Sequence, residues 1–196
     1  LDKLHLIKNL IIGGAAVSES LKNKILHMNL DRSSRIFETY GMSETLSHIG
    51  LKQVMPEQEE YFTVFENVSI SLDERGCLTI FAPDVNAEVL VTNDLVEIKN
   101  NKQFKFLGRI DNVINSGGAK IFPEKLEALV KKEIPNEVIF IGVPDESLGQ
   151  KLIMIIEGNT SDEVIEKISI IPFEKNFHKP KEIIFMDRIQ EHRMER

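Results

Sequence analysis

Gly117 and Gly118, followed shortly by Pro123, limit what this chain can build more than any other short feature. Paired glycines let the backbone turn tightly, and proline, with φ fixed and no N–H, belongs in the first turn of a helix. The stretch Leu107 to Glu127 therefore reads as Arg109 and Asp111 set just before a glycine turn, with a helix opening after it. Leu126, Leu129 and Val130 share one face of that helix. Such a segment can hold a ligand and act as a hinge, although a Gly-Gly turn before a proline-initiated helix is by itself ordinary punctuation.

The rest of the chain falls into three textures. Leu6 to Ile12 is an apolar run suited to a buried strand; Gly13 and Gly14 allow a turn, and Ser18 can cap a helix running to about Leu30. Arg35 to Tyr40 reads as a second strand that delivers the Gly41 to Thr45 loop at its end, where open α/β sheets place ligands. From Tyr61 to Phe106 short strands alternate with turn signals such as Asp73-Glu74-Arg75-Gly76. Beyond Asp111, strands near Glu137 to Val143 and Leu152 to Glu157 alternate with helices. A capping-box pattern at Thr160 to Glu163 introduces a helix to about Ile168, and Glu182 to Met186 reads as a final strand. The expected fold class is α/β, with a β subdomain and an α+β C-terminal lid domain. The expected boundaries are 1–60 for the end of a large α/β domain, 61–108 for the β part, 109–112 for a hinge and 113–196 for the mobile α+β domain.

A chain of 196 residues with 42% apolar and 28% charged content can bury one good core or two small ones. Its net charge of -7 disfavours nucleic acid and anionic membranes as partners, while a local basic site for phosphates survives that average. The single cysteine, Cys77, cannot form an internal disulfide, and Leu10 to Gly14 is too short to cross a bilayer. A cytoplasmic location without membrane insertion is expected, and a homodimer is left open. The chain opens at Leu1 rather than at methionine, so a fragment of a longer protein is expected.

Four landmarks occur in order: Glu38-Thr39-Tyr40-Gly41-Met42-Ser43-Glu44-Thr45, Val91-Thr92-Asn93-Asp94-Leu95, the Leu107 to Glu127 segment and Val143-Pro144-Asp145. Together they resemble the adenylate-forming superfamily of acyl-CoA synthetases, peptide-synthetase adenylation domains and luciferases, from about Leu6 to about Asp187. The resemblance implies the C-terminal half of an enzyme that uses ATP and Mg²⁺ to make an acyl-AMP and then passes the acyl group to CoA. Within the superfamily the first and third landmarks are most similar to the bacterial o-succinylbenzoate-CoA ligases of menaquinone synthesis. That similarity implies o-succinylbenzoate as the carboxylic acid partner, although an amino-acid-activating domain shares most of the landmarks.

The resemblance also implies residue roles. Tyr40 and Gly41 border adenine, the Ser43 hydroxyl donates to a phosphate oxygen, and Glu44 helps hold Mg²⁺, a hard cation content with one protein carboxylate and several waters. Asp94 accepts from both ribose hydroxyls, and Arg109 adds a charged donor to the nucleotide. Asp111 is the hinge, and Gly117 and Gly118 let the pantetheine arm of CoA pass closely. Gly13, Gly14 and Ala15 border the acyl pocket, with His48 a possible donor to the acid. Each has a plainer alternative: a turn for Tyr40-Gly41, a solvated charge for Glu44, a loop acid for Asp94, a surface ion pair for Arg109, a structural ring for His48.

The chain departs from the pattern in four places, the mildest being Ser43 where the family usually has threonine. Asn93 stands where the family's Thr-Gly-Asp turn has glycine, and asparagine tolerates unusual backbone angles better than most residues. The phosphate-cradling loop with its lysine is expected before Leu1. A gap-free count puts Arg196, without a preceding glycine, near the place of the family's late lysine. Arg and Lys differ in donor geometry. The isolated chain is accordingly expected to be inactive, and a non-catalytic nucleotide-binding module is the rival reading.

Overall fold

The computed structural model describes residues 7–14, 17, 19–28 and 34–189. Ala15, Ser18 and Arg196, which carried expectations above, lie outside them, as does Leu6. The chain divides into two compact units between Phe106 and Leu107.

The first unit holds an eight-stranded sheet ordered β1-β2-β3-β4-β8-β7-β6-β5. Its strands are β1 (Asn9–Ile12), β2 (Arg35–Gly41), β3 (His48–Met55), β4 (Phe62–Val64), β5 (Ser69–Leu72), β6 (Cys77–Phe81), β7 (Leu90–Asn100) and β8 (Gln103–Arg109), the last running past the division. β1 and β2 pair in parallel, which requires a crossover, and helix α1 (Glu19–Leu26) lies between them in sequence. Among the described residues β1 is an edge strand flanked by β2, and Ile11 is 50% exposed, so the strand expected to be buried is half-covered. α1 ends at Leu26 rather than near Leu30: the Met28 N–H bonds to the Ile25 carbonyl, a tightened last turn, and His27 Nδ1 lies 2.6 Å from the Asn23 carbonyl oxygen.

β3 had no counterpart among the expected elements. Its Lys52 and Gln53 interrupt the apolar pattern, yet it pairs antiparallel with β2 on one side and β4 on the other. The sheet therefore continues across residue 60. Phe104, Leu78, Ile80, Val96, Ile49 and Phe62 form its main core, each burial worth about 1.5–3 kcal/mol relative to exposure.

The second unit is built on β12 (Gly149–Glu157), whose residues Leu152 to Ile156 are all buried. It pairs antiparallel with β11 (Val138–Asp145) and parallel with β13 (Glu182–Met186), and through Gly149 it meets β9 (Ile114–Ser116). β9 and β10 (Ala119–Ile121) form a hairpin that the sequence had suggested only as a turn. Pro123 occupies the first turn of α2 (Pro123–Val130), which buries Leu126 and Val130. α3 (Asp162–Ser169) is capped by Ser161, whose Oγ accepts from the Val164 N–H at 3.4 Å. The cap thus falls one residue after Thr160, and the reciprocal glutamate bond of a capping box is absent because the third helical position is Val164. Among the described residues no helix is long and apolar enough to cross a membrane.

Candidate functional site

At the end of β2 the chain must reverse to enter β3, and the expected binding loop is that reversal. Ser43–Thr45 form one 3-10 turn, and Leu46 follows in the left-handed region at φ 59° with its side chain 83% exposed. Thr45 is buried and holds the turn from inside: its Oγ1 accepts from the Met42 N–H at 3.0 Å and has the carbonyls of Met42 and Ser47 at 2.9 and 2.6 Å as acceptors. Ser43 and Glu44 are exposed on this turn. Gly41 faces the returning chain so closely that a Cβ would lie 2.5 Å from the Ser47 carbonyl oxygen. His48, which starts β3, has Nδ1 3.1 Å from Ser47 Oγ and its ring edge-on to Phe65 at 5.5 Å.

Tyr40 and Asp94, 54 residues apart, meet here. The Tyr40 hydroxyl donates to Asp94 Oδ2 at 2.5 Å, and its ring packs edge-on against Phe104 at 4.8 Å and tilted against Phe62 at 5.8 Å. Asp94 is not the loop acid of its plainer alternative: it lies inside β7 and is buried. Against β6, Cys77 pairs with Leu95 and Thr79 with Val91, so β7 carries two extra residues in a bulge around Asn93. The bulge provides the bend for which a turn had been expected. Thr92 Oγ1 accepts from the Asp94 N–H at 3.0 Å and donates to the Leu78 carbonyl at 2.8 Å. Arg75 reaches it from the β5–β6 turn.

Earlier along β2, where Glu38 pairs with Lys52 of β3, lies a buried ion cluster. Glu38, 3% exposed, accepts from the Val17 N–H at 2.9 Å through Oε1. Its Oε2 has the Lys52 ammonium at 2.9 Å, in contact without hydrogen-bond alignment, and the Lys22 ammonium at 3.8 Å. Gly13 belongs to this neighbourhood: a Cβ there would lie 2.5 Å from Thr39 Oγ1, while Gly14 adopts φ 95°. Glu38 was legible in principle, since it alternates with Ile36 on the inward side of β2, and a charge at such a position requires a partner. Lys52, Thr45 and Arg75 carried no comparable signal.

In the second unit, Arg109 pairs with Asp111 at 3.2 Å. Glu124, in the first turn of α2, accepts from Asn112 Nδ2 at 2.7 Å and from the Arg109 N–H at 3.4 Å, binding the segment around Asp111 to the helix. Gly117 and Gly118 occupy φ 56° and 80°, the pair of positive angles that a two-residue hairpin turn of this twist requires. The Gly117 N–H donates to the Leu148 carbonyl at 2.9 Å, and the space above Gly118 is open. A cavity of about 790 Å³ in this unit is lined by Glu127, Lys131, Glu137, Glu157 and Arg188 and by none of the expected site residues. Burial pushes the Glu127 carboxyl above the ordinary range, opposed by the bond it accepts from the Phe140 N–H.

Among the described residues no three His, Cys, Asp or Glu side chains converge as a metal cluster. Glu44, exposed on its turn, offers a single carboxylate. That fits a cation whose remaining ligands are phosphate oxygens and waters, and does not fit one held by protein alone.

Likeness to known proteins makes the chain a member of the adenylate-forming acyl-CoA ligase superfamily. It is similar to the acyl-CoA synthetase (AMP-forming)/AMP-acid ligase II-like protein from Dyadobacter fermentans DSM 18053, at 34% identity and TM-score 0.51, covering 96% of this chain and 55% of that one. O-succinylbenzoate coenzyme A synthetase from Bacillus subtilis, in complex with ATP and magnesium ion, shares the fold at TM-score 0.74 and 18% identity, over 93% of this chain and 43% of that one. In sequence, 2-succinylbenzoate–CoA ligase of Lactococcus lactis subsp. lactis (strain IL1403) is 24% identical over 209 residues, 96% of this chain and 45% of the relative. No family model matches. The chain spans about half the length, or less, of these relatives.

Proposed function

We propose that the chain is the C-terminal part of an ATP-dependent acyl-CoA ligase acting on o-succinylbenzoate in menaquinone synthesis. The observation that carries the reading is the Tyr40–Asp94 hydrogen bond: a ring suited to a base and a carboxylate suited to a sugar stand side by side, as base and sugar do in a nucleotide. Similarity to two succinylbenzoate ligases supports the choice of acid.

In this reading Tyr40 and Gly41 border adenine and Asp94 accepts from the ribose hydroxyls. Ser43 donates to a phosphate oxygen, and Arg109 adds a charged donor to the nucleotide. Glu44 would hold Mg²⁺, which when bound offsets phosphate charge as pyrophosphate leaves. A carboxylate oxygen of the acid attacks the α-phosphorus, the bond to pyrophosphate breaks, and acyl-AMP forms. The CoA sulfur then attacks the acyl carbon and AMP departs. Positioning and charge stabilisation are what protein side chains contribute to such steps. Gly13, Gly14, Ala15 and His48 border the acid, Gly117 and Gly118 the pantetheine arm, and Asp111 is the hinge between the two half-reactions.

The test is pyrophosphate release by the full-length protein with ATP, Mg²⁺ and a panel of acids headed by o-succinylbenzoate, with and without CoA. Release dependent on that acid, with a CoA ester only when CoA is present, is expected. Dependence on another acid overturns the substrate, and silence across the panel with ATP still bound favours the non-catalytic module. The 196 residues alone are expected to show negligible turnover.

A further inference from the structure

Resting on the nucleotide-binding reading above, we infer that Arg75 is a positioning residue for ribose recognition, acting on Asp94 through the bulge in β7. Two residues of β7 have no counterpart on β6, so the ladder that normally fixes a strand's carbonyls and side chains is interrupted just before Asp94. Bonds from outside the ladder must then fix the angle at which Asp94 leaves the strand.

Arg75 supplies them. Its Nη1 donates to Asn93 Oδ1 and its Nη2 to the Thr92 carbonyl, both at 2.9 Å, so one planar guanidinium holds two consecutive bulge residues. The arginine is itself fixed: Nε donates to Asp73 Oδ2 at 2.8 Å and its backbone N–H to Asp73 Oδ1 at 2.8 Å. Asp73 Oδ1 also accepts from the Cys77 N–H at 2.9 Å, closing the turn from which Arg75 projects. The opposite side of the bulge is tied by Thr92 to β6 and by Asp94 to Tyr40. Arg75 is 44% exposed at its side chain, so it adds little to the core, and its planar head reaches both the bulge and Asp73. Its effect is therefore on the aim of the Asp94 carboxylate more than on the fold.

The experiment compares binding of ATP, 2′-deoxy-ATP and 3′-deoxy-ATP to the full-length protein by calorimetry, in the wild type and in Asp94→Asn, Arg75→Lys and Arg75→Ala. A hydroxyl bonded to a carboxylate is worth about tenfold or more in affinity, so the wild type is expected to prefer ATP by about that factor, and Asp94→Asn to lose the preference. Arg75→Ala is expected to bring the preference to within about threefold, and Arg75→Lys, which keeps the charge but not the fork, to fall between. A merely structural role would weaken all three nucleotides alike. Full preference retained in Arg75→Ala overturns the inference while leaving Asp94 as the ribose ligand. No preference in the wild type overturns the Asp94 reading itself and the inference with it. Should Arg75→Ala fail to fold, Asn93→Ala, which removes one of the two bulge acceptors, and Arg75→Lys decide by the same comparison.

Discussion

Gly41→Ala separates two reasons for a glycine at the end of β2. One is close approach of a flat base; the other is the chain's own return into β3. An added Cβ would lie 2.5 Å from the Ser47 carbonyl oxygen, 2.6 Å from His48 Cα and 2.9 Å from His48 N. Comfortable carbon contacts are about 3.5–4.0 Å, so roughly 1 Å must open between two backbone segments. Gly41 and His48 are paired strand residues just past a register irregularity at Tyr40/Gly41, so opening the gap disturbs the pairing where β2 turns into β3. Overpacking of this kind costs about 1–3 kcal/mol, offset by about 0.4–1 kcal/mol from the stiffer unfolded chain, for a net loss of about 1–2 kcal/mol. For a unit of this size each kcal/mol lowers Tm by about 4–8 °C, which places the expected drop at about 5–15 °C. The chain has no tryptophan and two tyrosines, Tyr40 and Tyr61, both in the first unit. Tyrosine fluorescence during thermal unfolding of the 196-residue chain therefore reports that unit alone. A fall of less than about 2 °C would refute the steric argument and leave ligand approach as the reason for the glycine.

Lys52→Met should lower the stability of the first unit by about 3–5 kcal/mol, because buried Glu38 loses the cation at 2.9 Å and, among the described residues, is left with Lys22 at 3.8 Å; a loss below about 1 kcal/mol in urea melts would show the cluster to be solvated. Glu124→Ala removes the acceptor shared by Asn112 and the Arg109 N–H. Amide exchange over residues 108–112 is expected to quicken by about tenfold or more, read by mass spectrometry, and unchanged protection would mean that Glu124 does not restrain the segment. Burial raises the Glu127 carboxyl against the opposing Phe140 N–H bond, so the native state holds this proton more tightly than the unfolded chain does. Its contribution to stability is fully present below the ordinary glutamate range and is lost as pH rises through the raised native value. Glu127→Gln, which keeps an oxygen for Phe140, should flatten that decline in exchange protection of second-unit amides; an unaltered pH profile would contradict the assignment.

Several elements needed nothing beyond their own residues. Pro123 starts α2 because its ring fits a first turn, Gly117-Gly118 turns because only glycine adopts two positive φ angles readily, and Ser161 caps α3 because its hydroxyl reaches a free N–H. The order of four short landmarks was likewise enough to indicate the superfamily. β3 escaped because Lys52 and Gln53 break its alternation, and the strand exists through its pairing with β2 and β4. Asp94 had the look of a loop acid because nothing local distinguishes a bulge from a turn. The Tyr40–Asp94 bond, the Arg75 clamp on Asn93 and the Lys52–Glu38 pair join residues 54, 18 and 14 positions apart. Local chemistry determines where a chain bends or coils, because its causes lie within a few residues. Which side chains meet across the sheet depends on strand order and register, and those are decided only when the whole sheet buries its faces together.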